Sequence, residues 1–400
     1  MTRLRQLTTW VSLIALVTLV VAPCAPAAAQ KAAPPSQKAA PAEKFAGKTV
    51  RIGVIQPLTG RAGEFGVHSR WGAELAAQHL NAAGGILGAK VDLEVADDAS
   101  DVAQTTALLR KQAADSSIVA VVAPTFSTAF IAGAEVAPTV GIVYISAGST
   151  VEWRGEFNPW TFRVVPPAST YVPKFFESLT KLYAQKQWKT TGMMTASDHG
   201  SMYAIGVTLR KLLPQFGLQL TVDLSHKQGD TDFSAAVTET LAKNPHIMVI
   251  NQVQNDAALF MKQARARGYK GAFVASSTAI QDPRIYELSG GAAEGMVTVA
   301  TFLVDNPDPM VQKFVKDYKA KTNQDVQTNA AAGYDAVMLI ADAIKRAGSI
   351  TDRAAVRNAL GKTDGFKAIM GSYKYADKGD NLTPTAYVVT LAKDGWKLVK

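Results

Sequence analysis

The 400-residue chain is 48% hydrophobic and 19% charged, with one cysteine and a formal net charge of +9. A single cysteine excludes a disulfide framework and a cysteine-ligated metal cluster. The positive charge forms no basic run interleaved with aromatic residues, which argues against a nucleic-acid partner.

Taken from its start, residues 1–29 read as a cleavable export signal: Arg3 and Arg5, the apolar run "WVSLIALVTLVVAP", then Ala27-Ala28-Ala29 as a small-residue cleavage site. The apolar run is short for a membrane span. Cys24 lies inside this segment, and Pro23 before it does not fit a lipidation signal. Removal of the segment takes away the two charges of Arg3 and Arg5, leaving +7 and no cysteine. Residues 30–46, rich in Pro, Ala and Lys, read as a spacer, so the fold is expected to begin near Gly47.

A repeated alternation follows. Strands are predicted at 49–58, 90–97, 118–123 and 142–146, with helices at 69–85, 101–115 and 128–137, the last stopped by Pro138. After "FRVVPPAST" (162–170) the alternation restarts. Helices at 171–186, 202–215, 233–243 and 255–267 separate strands at 190–196, 218–225, 247–251 and 271–277. From "EGMVTVATF" (294–302) the chain runs through helices near 309–322, 330–347 and 352–360. It ends in an alternating stretch with a turn around Lys378-Gly379-Asp380. Two such series predict an α/β protein of two Rossmann-like lobes with parallel central sheets.

Catalytic patterns fail one by one. Gly47-Lys48-Thr49 and Gly361-Lys362-Thr363 have Ala42 and Val356 where a phosphate-binding loop needs glycine. No G-x-G-x-x-G follows the first strand, and no G-x-S-x-G elbow is present. The five histidines form no metal-binding pair. Asp97-Asp98 reads as a strand end and turn before a helix. The chain is therefore expected not to be an enzyme and to need no cofactor or metal.

"APTFSTAF" (123–130) gathers Thr125, Ser127 and Thr128 at the end of a buried strand, and "ISAGST" (145–150) does the same one strand on. The hydroxyls can serve as a nucleophile, as a helix cap, or as a clamp for a small ligand. Ligands of open α/β sheets bind beyond the carboxyl ends of strands, which is where both stretches fall. Arg163 reads as a structural strand residue, and Trp153, Trp160 and Trp188 as surface-anchoring or core residues.

From about 49 to 400 the chain resembles the periplasmic substrate-binding proteins of branched-chain amino-acid-type ABC transporters. The resemblance is carried by "IGVIQPLTGRAGEFG" (52–66), "GAELAAQHLNAAGGILGAKVDLEVADD" (72–98), "APTFSTAF", "YISAGST" (144–150), "DFSAAV" (232–237), "KQARARGY" (262–269), "AEGMV" (293–297) and "GYDAVMLIADAI" (333–344). It implies a type I periplasmic binding fold, with three crossover strands joining lobe 1 (47–166 and 303–389) to lobe 2 (167–302 and 390–400). The ligand would be held between the lobes by hinge closure. The resemblance also implies a monomer, located in the periplasm, that hands its ligand to an inner-membrane ABC permease.

The family's contacts, carried over, fall as follows. Thr125 and the backbone of Phe126, Ser127 and Thr128 would hold a ligand carboxylate. Gly148 would offer its carbonyl, and Thr150 its hydroxyl and N–H. Phe65 would cover the ligand side chain. His199 and Val253 stand where aromatic residues usually sit, and Asn329 at a further contact position. Ser277 stands where amino-acid binders carry an acid facing the ligand ammonium, with Asp282 five residues on. That departure turns the expected ligand toward an aromatic or other organic acid, with an amino acid, or a sensory role for a receptor, as the alternatives.

Overall fold

The computed structural model describes residues 44–148, 159–277, 280–282, 284–375, 379–383 and 386–399. The expected export signal, Thr150, Trp153 and Lys378 lie outside the described residues.

In chain order the elements begin with β1 (Thr49–Gln56), α1 (Gly63–Ala82), β2 (Lys90–Asp97), α2 (Val102–Ala114), β3 (Ile118–Ala123), α3 (Ser127–Val140), β4 (Val143–Ser146) and β5 (Thr161–Arg163). There follow α4 (Ala168–Leu182), β6 (Thr190–Ala196), α5 (Gly200–Leu212), β7 (Gln219–His226), α6 (Ser234–Lys243), β8 (Ile247–Asn251), α7 (Gln254–Ala266), β9 (Ala272–Ala275), α8 (Ile285–Leu288) and β10 (Val297–Ala300). The chain closes with α9 (Pro309–Thr322), α10 (Thr328–Ala347), α11 (Arg353–Gly361), β11 (Asp364–Ala368), β12 (Gly371–Lys374), β13 (Tyr387–Ala392) and β14 (Gly395–Leu398).

Apolar strands such as β3, "IVAVVA", and β8, "IMVIN", are buried along their whole length because helices cover both faces of their sheets. The first sheet has the order β2-β1-β3-β4-β5, all parallel. The second runs β14-β13-β10-β9-β8-β6-β7. Within it β7-β6-β8-β9-β10 repeats the plan of the first sheet in parallel strands, while β13 and β14 add antiparallel edges. Each sheet therefore reverses its winding once, between β1 and β3 and between β6 and β8. Crevices of doubly wound sheets open at such switch points, outside the strands' carboxyl ends.

In the first lobe, α1 and α10 cross at backbone contact. A Cβ on Gly72 would lie 1.9 Å from the Ala330 carbonyl oxygen, and one on Gly333 would lie 2.1 Å from the Ser69 carbonyl oxygen. The same core takes the apolar strand faces and the alanine-rich face of α10.

Several local expectations change. The helix predicted at 69–85 starts at Gly63, because Phe65, Gly66 and His68 pack where the glycines suggest a loop. Pro138 does not stop α3, which continues to Val140 and ends on Gly141 with φ +62°. One proline in a last turn removes a single backbone hydrogen bond, and the turn survives it. Phe45, in the expected spacer, packs on the first-lobe core and donates its N–H to the Leu87 carbonyl at 2.9 Å. The β11–β12 hairpin has no counterpart among the predicted elements. Asp97 closes β2 and Asp98 follows it into the turn: Asp97 accepts from the Leu58 N–H at 2.8 Å, and Asp98 from the Thr105 hydroxyl at 2.9 Å. Arg163, 2% exposed, donates to Asp380 at 2.5 Å and ties β5 to the last crossover segment.

Burial pulls the His68 imidazole down to about 4 from its ordinary 6.5; the ring sits beside Tyr318, with Nδ1 2.5 Å from the hydroxyl. Between those values the unfolded chain binds a proton that the native state refuses, so stability falls as pH drops from about 6.5 toward 4. The pKa difference corresponds to about 3 kcal/mol for this group. Burial raises Asp335 to about 7, which acts with the opposite sign over the same range. Wild-type urea unfolding at pH 7 and pH 4.5 reads the sum of the two, and His68→Phe isolates the histidine. Relative to the wild type, the variant is expected to gain stability at pH 4.5 compared with pH 7, and an unchanged pH 7 to pH 4.5 difference contradicts the assignment.

Candidate functional site

From Lys44 on, the described residues pack as one unit, and the two switch points face each other across a cleft. On the first-lobe side the cleft is lined by Phe65, Thr125, Ser127, Gly148, Gln327, Thr328 and Asn329. On the other side stand His199, Ser201, Met202, Gln254, Ser277, Gln281 and Asp282.

The first-lobe wall is built around Gln56, buried at the end of β1. Its amide donates to the Ala123 carbonyl at 2.7 Å and accepts the Thr125 N–H at 3.1 Å. This clamps the turn after β3 and presents the Thr125 side chain, whose buried hydroxyl has no hydrogen-bond partner among the described residues. The next element, α3, has Phe126 as its N-cap residue and no side-chain cap. The helix-cap reading of Ser127 therefore fails: Ser127 is the first helical residue, and its hydroxyl lies 2.5 Å from that of Ser201 in the other lobe. The first N–H groups of a helix have no partner within it and carry the positive end of its dipole. Gly148 leaves room that Asn329 and Thr125 fill: a Cβ there would lie 2.8 Å from Asn329 Oδ1 and 3.2 Å from Thr125 Cγ2.

The second-lobe wall repeats the device. Asn251, buried at the end of β8, donates to the Met202 carbonyl at 2.6 Å and holds the start of α5. His199 is the N-cap residue of α5, and its ring meets Phe126 edge-on at 6.1 Å. Burial, reinforced by the nearby Arg61 guanidinium, pulls His199 down to about 4, so it is neutral at pH 7. Arg61 itself lies over the Phe126 ring at 4.6 Å.

Asp282 is the acid of the cleft, and it is already engaged. Arg284 Nε donates to both carboxylate oxygens, at 3.1 and 2.9 Å, and Gln327 donates from the opposite lobe at 3.1 Å. Burial raises the Asp282 pKa. Arg284 also pairs with Glu64 across the cleft, and Thr328 donates to Gln281 at 2.8 Å. These cross-lobe bonds make the described arrangement a closed one.

Of the residues expected from sequence, Phe65, Thr125, Ser127, Gly148, His199, Ser277 and Asn329 come together in this cleft. Phe126 stands behind it, packed with Ala62, Ala129 and Phe65. Val253 is buried as the N-cap residue of α7, and its neighbour Gln254 faces the cleft instead. Thr150 lies outside the described residues. Sequence reasoning missed Ser201, Met202, Gln254, Gln281, Gln327 and Thr328. It also missed Gln56 and Asn251, whose only local signal is an isolated amide closing an apolar strand.

Two lobes of the same doubly wound plan, with hydroxyls and a helix N-terminus converging on a narrow cleft, are the plan of a two-lobed small-molecule-binding protein. Residues 49–396 match the periplasmic binding protein family, and the chain belongs to that family. It is 28% identical to a Leu/Ile/Val-binding protein homolog of Brucella melitensis, over 84% of this chain and 88% of that one. Its fold superposes with a TM-score of 0.78 and 25% identity on the branched-chain amino acid transporter substrate-binding protein LivJ of Streptococcus pneumoniae in complex with isoleucine, covering 88% of this chain and 99% of that one. It superposes with a TM-score of 0.77 and 19% identity on an ABC transporter solute-binding protein of R. palustris in complex with benzoate, covering 88% and 95%.

Proposed function

We propose that this chain is the periplasmic binding component of an ABC importer and that it captures its ligand by a carboxylate, as a monomer that delivers to an inner-membrane permease. The observation that carries the reading is the first-lobe wall. The Thr125 hydroxyl has no partner among the described residues, and the uncapped start of α3 stands beside it. Both suit an anion. Proteins of this fold are known with isoleucine and with benzoate, so the fold alone does not choose between an amino acid and an organic acid.

The side chains favour an organic acid without an ammonium group. Closure strips water from the ligand, and a buried ammonium without a counter-ion costs several kcal/mol even after relaxation. Ser277 is neutral, His199 is neutral at pH 7, and Asp282 is taken by Arg284 and Gln327. A second reading, an amino-acid ligand, draws on Asp282 lining the cleft and on the relatives named for leucine, isoleucine and valine. It requires Arg284 to release Asp282.

Titration calorimetry with matched pairs decides between the two: phenylalanine against 3-phenylpropionate, and leucine against 4-methylpentanoate. The deaminated member of each pair is expected to bind at least as tightly. Tenfold tighter binding of the amino acid establishes the second reading, and no binding by either member of either pair removes the carboxylate clamp for these side chains.

A further inference from the structure

Among the described residues that line the cleft, Asp282 is the one acid. Its side chain is 5% exposed, whereas that of Arg284 beside it is 56% exposed. A carboxylate offers about four lone-pair positions. Here they are filled from two residues. Arg284 donates its backbone N–H at 2.8 Å, Nε at 3.1 and 2.9 Å, and Nη2 at 2.5 Å, and Gln327 donates its amide at 3.1 Å. Of these donors only the guanidinium carries a charge. The same guanidinium reaches Glu64 in the first lobe.

We propose that Arg284 is the specificity-determining residue of the cleft: its guanidinium neutralises Asp282 and so denies a ligand ammonium its counter-ion. The inference rests on the organic-acid reading and assigns the refusal of amino acids to one side chain. Without the guanidinium, Asp282 keeps the Arg284 backbone N–H and the Gln327 amide, but it stands as an unpaired anion on a wall that loses water on closure. A ligand ammonium then supplies the missing charge, and the cost of an unpaired buried charge passes from the amino acid to its deaminated analogue. The Glu64 contact does not carry this effect. Its partners are 56% and 43% exposed, and exposed ion pairs contribute little. Glu64 ties the lobes together, so its loss acts on every ligand alike.

Calorimetry on the full chain and its variants compares leucine, 4-methylpentanoate and 3-methylbutylamine, and likewise phenylalanine, 3-phenylpropionate and 2-phenylethylamine. Arg284→Met is expected to raise the affinity of the amino acid relative to its deaminated partner about 10- to 150-fold over the wild-type ratio. Arg284→Gln keeps an N–H donor for Asp282 without the charge, and is expected to shift the ratio in the same direction. Arg284→Lys keeps a cation and is expected to hold the wild-type ratio. Glu64→Gln is expected to weaken both members of a pair about equally, by at most about 5-fold. Adding Asp282→Asn to Arg284→Met is expected to abolish the shift, a result that a merely structural role for Arg284 does not give. The amines lack a carboxylate, so their gain in the neutral variants reads Asp282 independently of the carboxylate clamp. If the wild type prefers the amino acid tenfold, the organic-acid reading and this proposal fall together. If the wild type prefers the acid, and neither neutral variant moves the ratio or gains amine binding, the proposal falls alone. A shift in Arg284→Lys as large as in Arg284→Met, or one that survives Asp282→Asn, also overturns it.

Discussion

Replacing Thr125 by valine is expected to weaken binding of a carboxylate ligand about 10- to 150-fold while leaving the melting temperature near that of the wild type. Hydrogen bonds to a charged group contribute roughly 1.5–3 kcal/mol, which sets that range. Valine keeps the methyl that packs 3.2 Å from the Gly148 position and removes only the hydroxyl. That hydroxyl bonds to no described residue, so the unliganded fold loses nothing when it goes. The Thr125 N–H, held by Gln56 at 3.1 Å, is untouched, so the turn after β3 stays in place. Calorimetry with 3-phenylpropionate, or with whichever carboxylate binds in the matched pairs, measures the effect. Wild-type affinity in Thr125→Val would remove this hydroxyl from the clamp. A collapse in stability would instead return it to a structural role.

A larger effect on folding is expected from Gly72→Val. Helix propensity alone predicts the opposite sign, since glycine inside a helix costs roughly 0.5–1 kcal/mol relative to alanine. Packing overrides it. The new Cβ would lie 1.9 Å from the Ala330 carbonyl oxygen and 3.1 Å from its Cα, and both are backbone atoms of a helix buried on the other side by the first-lobe core. Nothing flexible can yield, so α1 and α10 must separate and the core between them opens. Overpacking typically costs about 1–3 kcal/mol, and a backbone-to-backbone clash places this change at or above the upper end. Gly333→Val is expected to behave alike, through the Ser69 carbonyl at 2.1 Å. Gly200→Ala serves as the control, because nothing lies within 4 Å of its added Cβ. Denaturant unfolding reads all three. Gly72→Val as stable as the wild type contradicts the close crossing.

Fold and site were legible in the sequence to different depths. Strands such as 118–123 and 247–251 announce themselves because a strand covered on both faces must be apolar throughout, and that requirement is local. The hydroxyls of "APTFSTAF" follow directly, since they come at the carboxyl end of such a strand. Local pattern also ended a strand at Ser277, whereas His199 came only through the family resemblance, and neither route shows the chemistry around them. The His199 ring is held below its ordinary pKa first by burial and then by Arg61, and both Arg61 and the Phe126 ring it meets belong to the other lobe.

What the tertiary structure decided is every question about which surface meets which. Side-chain periodicity marks an inward and an outward face, but it does not say which residue of a loop turns into the cleft. So Gln254 lines the cleft where Val253 was expected. Asp282 stood as an unassigned acid five residues beyond Ser277. Its engagement depends on Gln327, 45 positions away, as well as on Arg284 beside it. Gln56 bonds the end of β3 across 67 positions, and only the pairing of β1 with β3 brings them together. Pro138 ended the predicted helix by its local rule, yet α3 runs through it because the packed helix absorbs one missing hydrogen bond. The chain's own order of residues determined an α/β protein with hydroxyls at strand ends. The meeting of two lobes determined which acids, amides and rings share the cleft, because those contacts join segments whose separation along the chain leaves no periodic trace.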